Sequence, residues 1–490
     1  MSISIPDTRP FYNGEHHDSL DGKTFTTSNP ATEDIIASVS ESGNNDINAA
    51  VIAAKTAFGE WTIIDAFERG KAIIAIADAI EEHAEELAWL DVIDSGKTIL
   101  DAREDTHAAQ KMFRYFGGLV DKIEGATIPA ANEKLVYTVH EPYGVIAAIT
   151  AWNYPLFNAS AKIAPVIATG NACILKPAEE TPLTALKLAE IIANVDGIPK
   201  GLVSVVNGAG ERTGALLISN PGVNRVTFTG STETGKAILK NISGGDLKGA
   251  ILELGGKAPV IVMADANLEG AAKAIAFSAF FNQGQTCTAA TRILVEESVH
   301  DVLLEKICSI AEAIVVGDPS SEDTIVGPLI SKIQYEKVVG YIERAVGAGQ
   351  KPLIGGYRPS ELEKGYYLTP TIFDNVSSDN ELFLDEVFGP VLTVSTFSSV
   401  DDAITLANKS NYGLAAGVWT KDLATMHKIA NALEDGIIWG NTLFSEFPGA
   451  PAGGSKNSGY GREYGKEAIN EYTQIKTVWI SLDDNYSDWF

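Results

Sequence analysis

Between residues 46 and 116, apolar side chains recur every three or four positions, the period of a helix with one buried face. Residues 46–58 carry Ala, Val and Ile at that spacing after a Gly-Asn-Asn breaker. Residues 67–90 read as one long amphipathic helix with Glu81, Glu82, Glu85 and Glu86 on its wet side, and residues 101–116 as another. From Val136 the pattern changes. Residues 135–140 look like a strand, and after them short apolar strands at 145–149, 172–175, 203–206 and 225–228 alternate with helices at 155–169 and 182–195, the first with Pro155 at its start. Parallel strands must be joined by crossovers, so this alternation predicts a doubly wound α/β unit, a parallel sheet covered by helices on both faces.

A second α/β unit is predicted after Gly249. Strands at 250–254 and 259–263 flank Gly255-Gly256-Lys257, and a helix at 268–281 leads into Gln283-Gly284-Gln285-Thr286-Cys287. A strand at 292–296 and a helix at 300–315 continue the alternation, and 447–461 is a long Gly- and Pro-rich loop. Residues 472–481 form a late strand outside both units, an edge that needs a partner and points to a subunit contact.

The length, 490 residues, suits two or three structural units. Lys plus Arg total 37 against 64 Asp plus Glu, a net charge of −27. Such a surface repels phosphate backbones and anionic membranes, so neither nucleic acid nor membrane is an expected partner, and the acidity reads as a solubility device. The cysteines are Cys173, Cys287 and Cys308, an odd count with no C-x-x-C pair, which fits a reducing, cytoplasmic setting. The N-terminus shows no signal-peptide pattern, and the apolar stretches are far shorter than the roughly 20 residues that span a bilayer.

Several short runs carry chemistry. Val226 to Gly235 reads as a strand, a Gly230 turn and a helix start that Ser231 or Thr232 can cap; such a terminus accepts a pyrophosphate, though an ordinary turn has the same spacing and no strict G-x-G-x-x-G is present. Lys176 and Glu179 follow a buried strand, where in open α/β sheets ligands sit, and Glu179 would accept from a ribose 2′-hydroxyl and repel a 2′-phosphate; a solvated charge pair would look the same. Cys173 and Cys308 lie in apolar segments and read as packing, whereas Cys287 has small and polar neighbours that suit either a reactive or a buried thiol. Glu253 sits in an apolar strand, where burial would raise its pKa toward that of a general base, unless it lies on a wet face. Asn153, between a strand and a helix, can donate to an oxyanion or simply turn the chain before Pro155.

In their joint order, Asn153, Lys176, Gly230, Glu253, Cys287, the run Asp385-Glu386-Val387-Phe388-Gly389-Pro390 and the run Gly454-Ser455-Lys456-Asn457-Ser458-Gly459 resemble the aldehyde dehydrogenase superfamily, over nearly the whole chain. The Glu-Leu-Gly-Gly-Lys run and the Gly-Gln-Thr-Cys run, with 34 residues from Glu253 to Cys287, are its most specific part. The resemblance implies a Rossmann-like NAD-binding domain (1–119 and 144–249), an α/β catalytic domain (250–466) and a small β oligomerisation flap (120–143 and 467–490), assembled as a dimer or tetramer. It implies that Cys287 attacks an aldehyde carbonyl, that the Asn153 amide and the Cys287 backbone N–H hold the oxyanion, and that Glu253 activates the water that hydrolyses the thioester. For NAD it implies contacts from Trp152, Lys176, Glu179, Gly230, Ser231, Leu254, Glu386 and Phe388, with no catalytic metal. Lys162 and Glu463 match positions with a proton-relay role in the betaine-aldehyde branch, and Asp94 resembles a cation ligand, although a loop aspartate reads the same. That branch, which the chain resembles down to its aromatic terminus Trp489-Phe490, cages a quaternary ammonium in aromatic rings. Tyr154 is in place, while Ala161 and Ala452 stand where relatives carry Trp; Phe157, Phe444 or Phe447 are the candidates to complete a substrate pocket. The alternatives are an aliphatic, amino- or semialdehyde dehydrogenase, a CoA-acylating enzyme (disfavoured by the presence of Glu253), and a non-enzymatic ligand-binding relative.

Overall fold

A computed structural model describes residues 4–445 and 447–483. Trp489 and Phe490, and the end of the expected flap segment from 484 onward, lie outside the described residues.

Two large sheets organise the chain. In the first, five strands run parallel in the order Gly249–Glu253, Arg225–Thr229, Val145–Ile149, Ala172–Lys176, Val203–Val205, with short antiparallel strands at both edges. Val145–Ile149 and Ala172–Lys176 are buried at every position, which explains why they read as continuous apolar runs rather than alternations. From Val145–Ile149 the chain winds outward to one side and then returns to the other, so a topological switch point lies between Val145–Ile149 and Arg225–Thr229.

The expected start of the second unit after Gly249 is corrected by this pairing. Gly249–Glu253 hydrogen-bonds in register with Arg225–Thr229 and belongs to the first sheet, as does Gly459–Tyr460 at its edge. The seven-stranded second sheet begins only with Pro259–Val262. Its helices pack on both faces: Val260 and Val262 enter one buried cluster and Ile261 the other, the period-two alternation of a strand with no wet side.

The helix expected over 67–90 is two helices, Ala66–Glu82 and Ala84–Ser95. His83 leaves helical geometry (φ −103°, ψ 11°) and its ring contacts Glu86 at 2.9 Å. Apolar spacing continues across the break, so the pattern alone merges the two. Asp94 is not in a loop but in the last turn of the second of these helices. It is fully buried, accepts from Thr27 Oγ1 (2.6 Å) and the Leu183 N–H (3.0 Å), and burial pushes it up to about 8. The strands outside both units pair with each other: Thr473–Ser481, Lys134–Pro142 and Thr127–Ile128 form an antiparallel three-stranded sheet. Among the described residues no helix is long and apolar enough to cross a membrane.

Candidate active site

At the switch point a cavity of about 460 Å³ opens between the two sheets. The first sheet presents the carboxyl ends of three neighbouring strands to it: Ala151, Trp152 and Asn153 after Val145–Ile149, Gly230 and Ser231 after Arg225–Thr229, and Glu253 and Leu254 closing Gly249–Glu253. The second sheet presents amino ends instead. Cys287, Phe388 and Leu414 all precede the strands they feed, Arg292–Glu296, Val391–Phe397 and Ala415–Trp419.

Backbone geometry delivers the thiol. Asn282, Gln283 and Gly284 have φ of +48°, +59° and +70°, three successive left-handed residues. The first two are disfavoured for residues with a Cβ and persist only where neighbours fix them. Asn282 Nδ2 donates to the Asn153 carbonyl (2.9 Å), the Gln285 N–H donates to the Asn282 carbonyl (3.0 Å), and Gln285 Oε1 accepts from the Ile330 N–H (3.0 Å). Cys287 emerges half-buried on the cavity wall. The other thiols are elsewhere: Cys173 is buried in a strand and pushed up to about 12 by desolvation, and Cys308 is half-buried on a distant helix.

Asn153 is locked beside the thiol loop. Its Nδ2 donates to the Gln285 carbonyl (3.0 Å) and its Oδ1 accepts from Asn158 (3.3 Å). Glu253 faces the cavity, and its Oε1 is buried without a hydrogen-bond partner. Desolvation raises its pKa well above the usual carboxylate range, and the nearby Glu463 carboxylate adds to the shift. Glu463 also lines the cavity, brought there by the bridge that pairs Ala452 with it. Lys162 does not line the cavity; it lies buried behind it, donating to Glu463 (2.6 Å) and to Thr227 (3.0 Å).

The Glu-Leu-Gly-Gly-Lys run therefore has a physical reading. A Cβ at Gly256 would stand 2.5 Å from the Cys287 carbonyl oxygen, so only glycine allows the two backbones to approach this closely. The Gly256 N–H donates to Glu386 Oε1 (3.0 Å), and burial raises that carboxyl too. Lys257, buried with no hydrogen-bond partner, is pushed down to about 7 by desolvation and by Arg292.

The residues fit a dinucleotide. Ser231 caps the helix Thr232–Ile242, accepting from the Thr234 N–H (3.1 Å), and the mouth of that helix opens on the cavity at Gly230. Glu386 offers carboxylate oxygens, and Phe388, at φ +59°, sets its ring edge-on to Trp152 at 5.2 Å. Lys176 and Glu179 do not line the cavity. Lys176 Nζ already donates to the Pro177 and Gly208 carbonyls (2.7 Å each) and lies 3.5 Å from Glu179.

Tyr154, Phe157 and Phe444 line the cavity. Phe281 and Tyr464 line it too and were not singled out; their only sequence signal is adjacency to Asn282 and Glu463. Phe447 is corrected: it does not line the cavity but is 65% exposed, edge-on to Tyr115. Ala161 is buried away from the cavity, whereas Ala452 lines it.

The family model described as "Aldehyde dehydrogenase family" matches residues 17–478. An aldehyde dehydrogenase of Aspergillus niger is 42% identical over 475 residues, covering 97% of this chain and 95% of that one. Retinaldehyde dehydrogenase 3 of Homo sapiens is 42% identical over 487 residues, covering 99% and 94%. The crystal structure of betaine aldehyde dehydrogenase from Staphylococcus aureus in complex with NAD+ superposes with a TM-score of 0.96 at 39% identity, covering 99% of this chain and 97% of that one.

Gly256→Ala tests the close approach. The added methyl displaces the Cys287 carbonyl, and turnover falls roughly tenfold to a hundredfold while the far-ultraviolet circular dichroism is retained. Wild-type turnover in this variant would refute the contact.

Proposed function

The chain belongs to the aldehyde dehydrogenase family, and from that premise we propose that it oxidises its aldehyde through a covalent thioester on Cys287, released by hydrolysis. It is an NAD-dependent oxidoreductase. What supports the covalent route is the convergence of Cys287, Asn153 and Glu253 on one cavity from three separate segments. The Cys287 sulfur adds to the carbonyl carbon, and the Asn153 amide and the Cys287 backbone N–H hold the oxygen that becomes an anion. NAD supplies the hydride acceptor; Trp152, Leu254, Glu386 and Phe388 would hold its nicotinamide half, Gly230 and Ser231 its phosphates, and Lys176 and Glu179 its adenosine ribose. Glu253 then takes a proton from water, whose oxygen attacks the acyl carbon and expels the thiolate. Glu463, paired to Lys162, is the group to which that proton can pass.

The raised pKa of Glu253 sets a sign. Only the ionised carboxylate accepts the proton, so hydrolysis strengthens as pH rises through the raised value and fades below it. Cys287→Ala is expected to abolish turnover with NAD binding kept. Glu253→Gln is expected to give a burst of NADH without steady turnover and to remove the rising limb of kcat against pH. Steady turnover in the cysteine variant, or an unchanged limb in the glutamine variant, would refute the respective role.

For the substrate, the favoured reading is a quaternary-ammonium aldehyde of the betaine aldehyde kind. Tyr154, Phe157, Phe281, Phe444 and Tyr464 bring rings to the cavity, and Glu104 adds negative charge to its lining. Betaine aldehyde and its uncharged isostere 3,3-dimethylbutanal have the same shape. A kcat/KM at least tenfold higher for the cation is expected; parity would assign the pocket to apolar aldehydes.

The three-stranded sheet supports a homo-oligomer, since Ile475, Trp479 and Ile480 stand exposed along its last strand. Trp479→Lys is expected to slow sedimentation toward the monomer value; an unchanged oligomer would place the contact elsewhere.

A further inference from the structure

Behind the thiol loop lies a buried charge cluster that the chemistry above does not use. Lys97 follows the helix Ala84–Ser95 and is fully buried. Its ammonium is ion-paired to Asp105, which lines the cavity from the helix Ile99–Gly117. Asp91 and Asp101 stand close enough to feel the lysine charge; burial pushes each up to about 7, and one carboxyl oxygen of each has no hydrogen-bond partner. Asp105 is thus the counter-ion that holds the ammonium in place.

The cluster touches the thiol loop at two points. The Asn282 N–H lies near the Asp101 carboxyl and favours its ionised form, at the first of the left-handed residues. The Lys97 Nζ sits 4.3 Å from the centre of the Tyr154 ring. The Tyr154 hydroxyl is 2.6 Å from Thr286 Oγ1, the residue preceding Cys287. A buried ammonium on a ring face is attracted most strongly when desolvated, which favours one orientation of that ring. The ring face taken by Lys97 is also closed to any substrate cation, so Tyr154 offers the cavity its other face or its edge.

We propose that Lys97 is a positioning residue for the nucleophile: pinned by Asp105, it seats the Tyr154 ring, and through the Tyr154–Thr286 hydroxyl pair it fixes the reach of the Cys287 sulfur. This rests on Cys287 being the nucleophile, and it extends the thiol site into the helical layer that flanks the first sheet.

The test uses the full-length protein, a small neutral aldehyde (propanal), and iodoacetamide alkylation followed on the peptide that contains Cys287. Tyr154→Phe keeps the ring and removes the hydroxyl; Thr286→Val removes its partner; Lys97→Met removes the charge. Each is expected to slow both alkylation and the NADH burst about tenfold, about 1.4 kcal/mol, with the Kd for NAD unchanged. The decisive variant is the double Lys97→Met/Tyr154→Phe. It should be no slower than either single change, because both cut one chain of contacts. Fully additive losses, or an unchanged Lys97→Met, overturn the proposal. Should Lys97→Met fail to fold, because Asp105 is left buried and unpaired, wild-type rates in both Tyr154→Phe and Thr286→Val overturn it instead. Failure of the nucleophile assignment reads differently: Cys287→Ala would still turn over, whatever the alkylation rates.

Discussion

Two backbones meet where Gly256 passes the carbonyl oxygen of Cys287, and the rest of the site depends on how close they come. One backbone continues from a strand of the first sheet, the other feeds a strand of the second. The first sheet brings carboxyl ends to the meeting place, the usual position for ligands in an open parallel sheet, and supplies Asn153, Gly230 and Glu253. The second brings amino ends, and so contributes loops before strands, with Cys287 on one and Phe388 on another. A side chain at 256 would stand 2.5 Å from the Cys287 carbonyl oxygen and force the seam apart by at least about half an ångström, shifting the thiol relative to the amide and the carboxylate.

Around this seam the molecule buries more charge than a soluble core normally tolerates, and each charge is handled differently. Lys162, behind the wall, is neutralised by Glu463, which reaches the cavity. Lys97 and Asp105 neutralise each other beneath the thiol loop. Glu253 is left with a buried, unpartnered oxygen and answers with a raised pKa. The contrast is physical: a paired charge is held ionised by its partner, whereas burial favours the neutral form of an unpaired carboxyl. The strained left-handed run before Cys287 is held in the same spirit, by hydrogen bonds to Asn153 and Ile330.

Much of this was legible in the chain. Strands buried on both faces read as continuous apolar runs, and the Glu-Leu-Gly-Gly-Lys and Gly-Gln-Thr-Cys runs carried the family resemblance. Less legible was anything that depends on which end of a strand meets which neighbour. The assignment of Gly249–Glu253 to the second unit failed because its apolar content suits either sheet, and only its pairing with Arg225–Thr229 decides. Phe447 and Phe444 are three residues apart in one loop and equally aromatic; a left-handed turn at Phe444 sends one ring into the cavity and leaves the other outside. Nor could spacing show that Lys97 lies on Tyr154, 57 positions away, since no local period links them.

The sequence by itself determined the α/β class, the positions of most strands, and which cysteine has neighbours suited to an accessible thiol, because those follow from side-chain period, size and polarity along the chain. Tertiary structure alone decided that Cys287, Asn153 and Glu253 line one cavity, that Glu253 is desolvated while Lys162 is paired, and which rings line that cavity. Those are properties of distance and solvent exclusion between segments far apart in the chain, and a linear pattern carries no record of either.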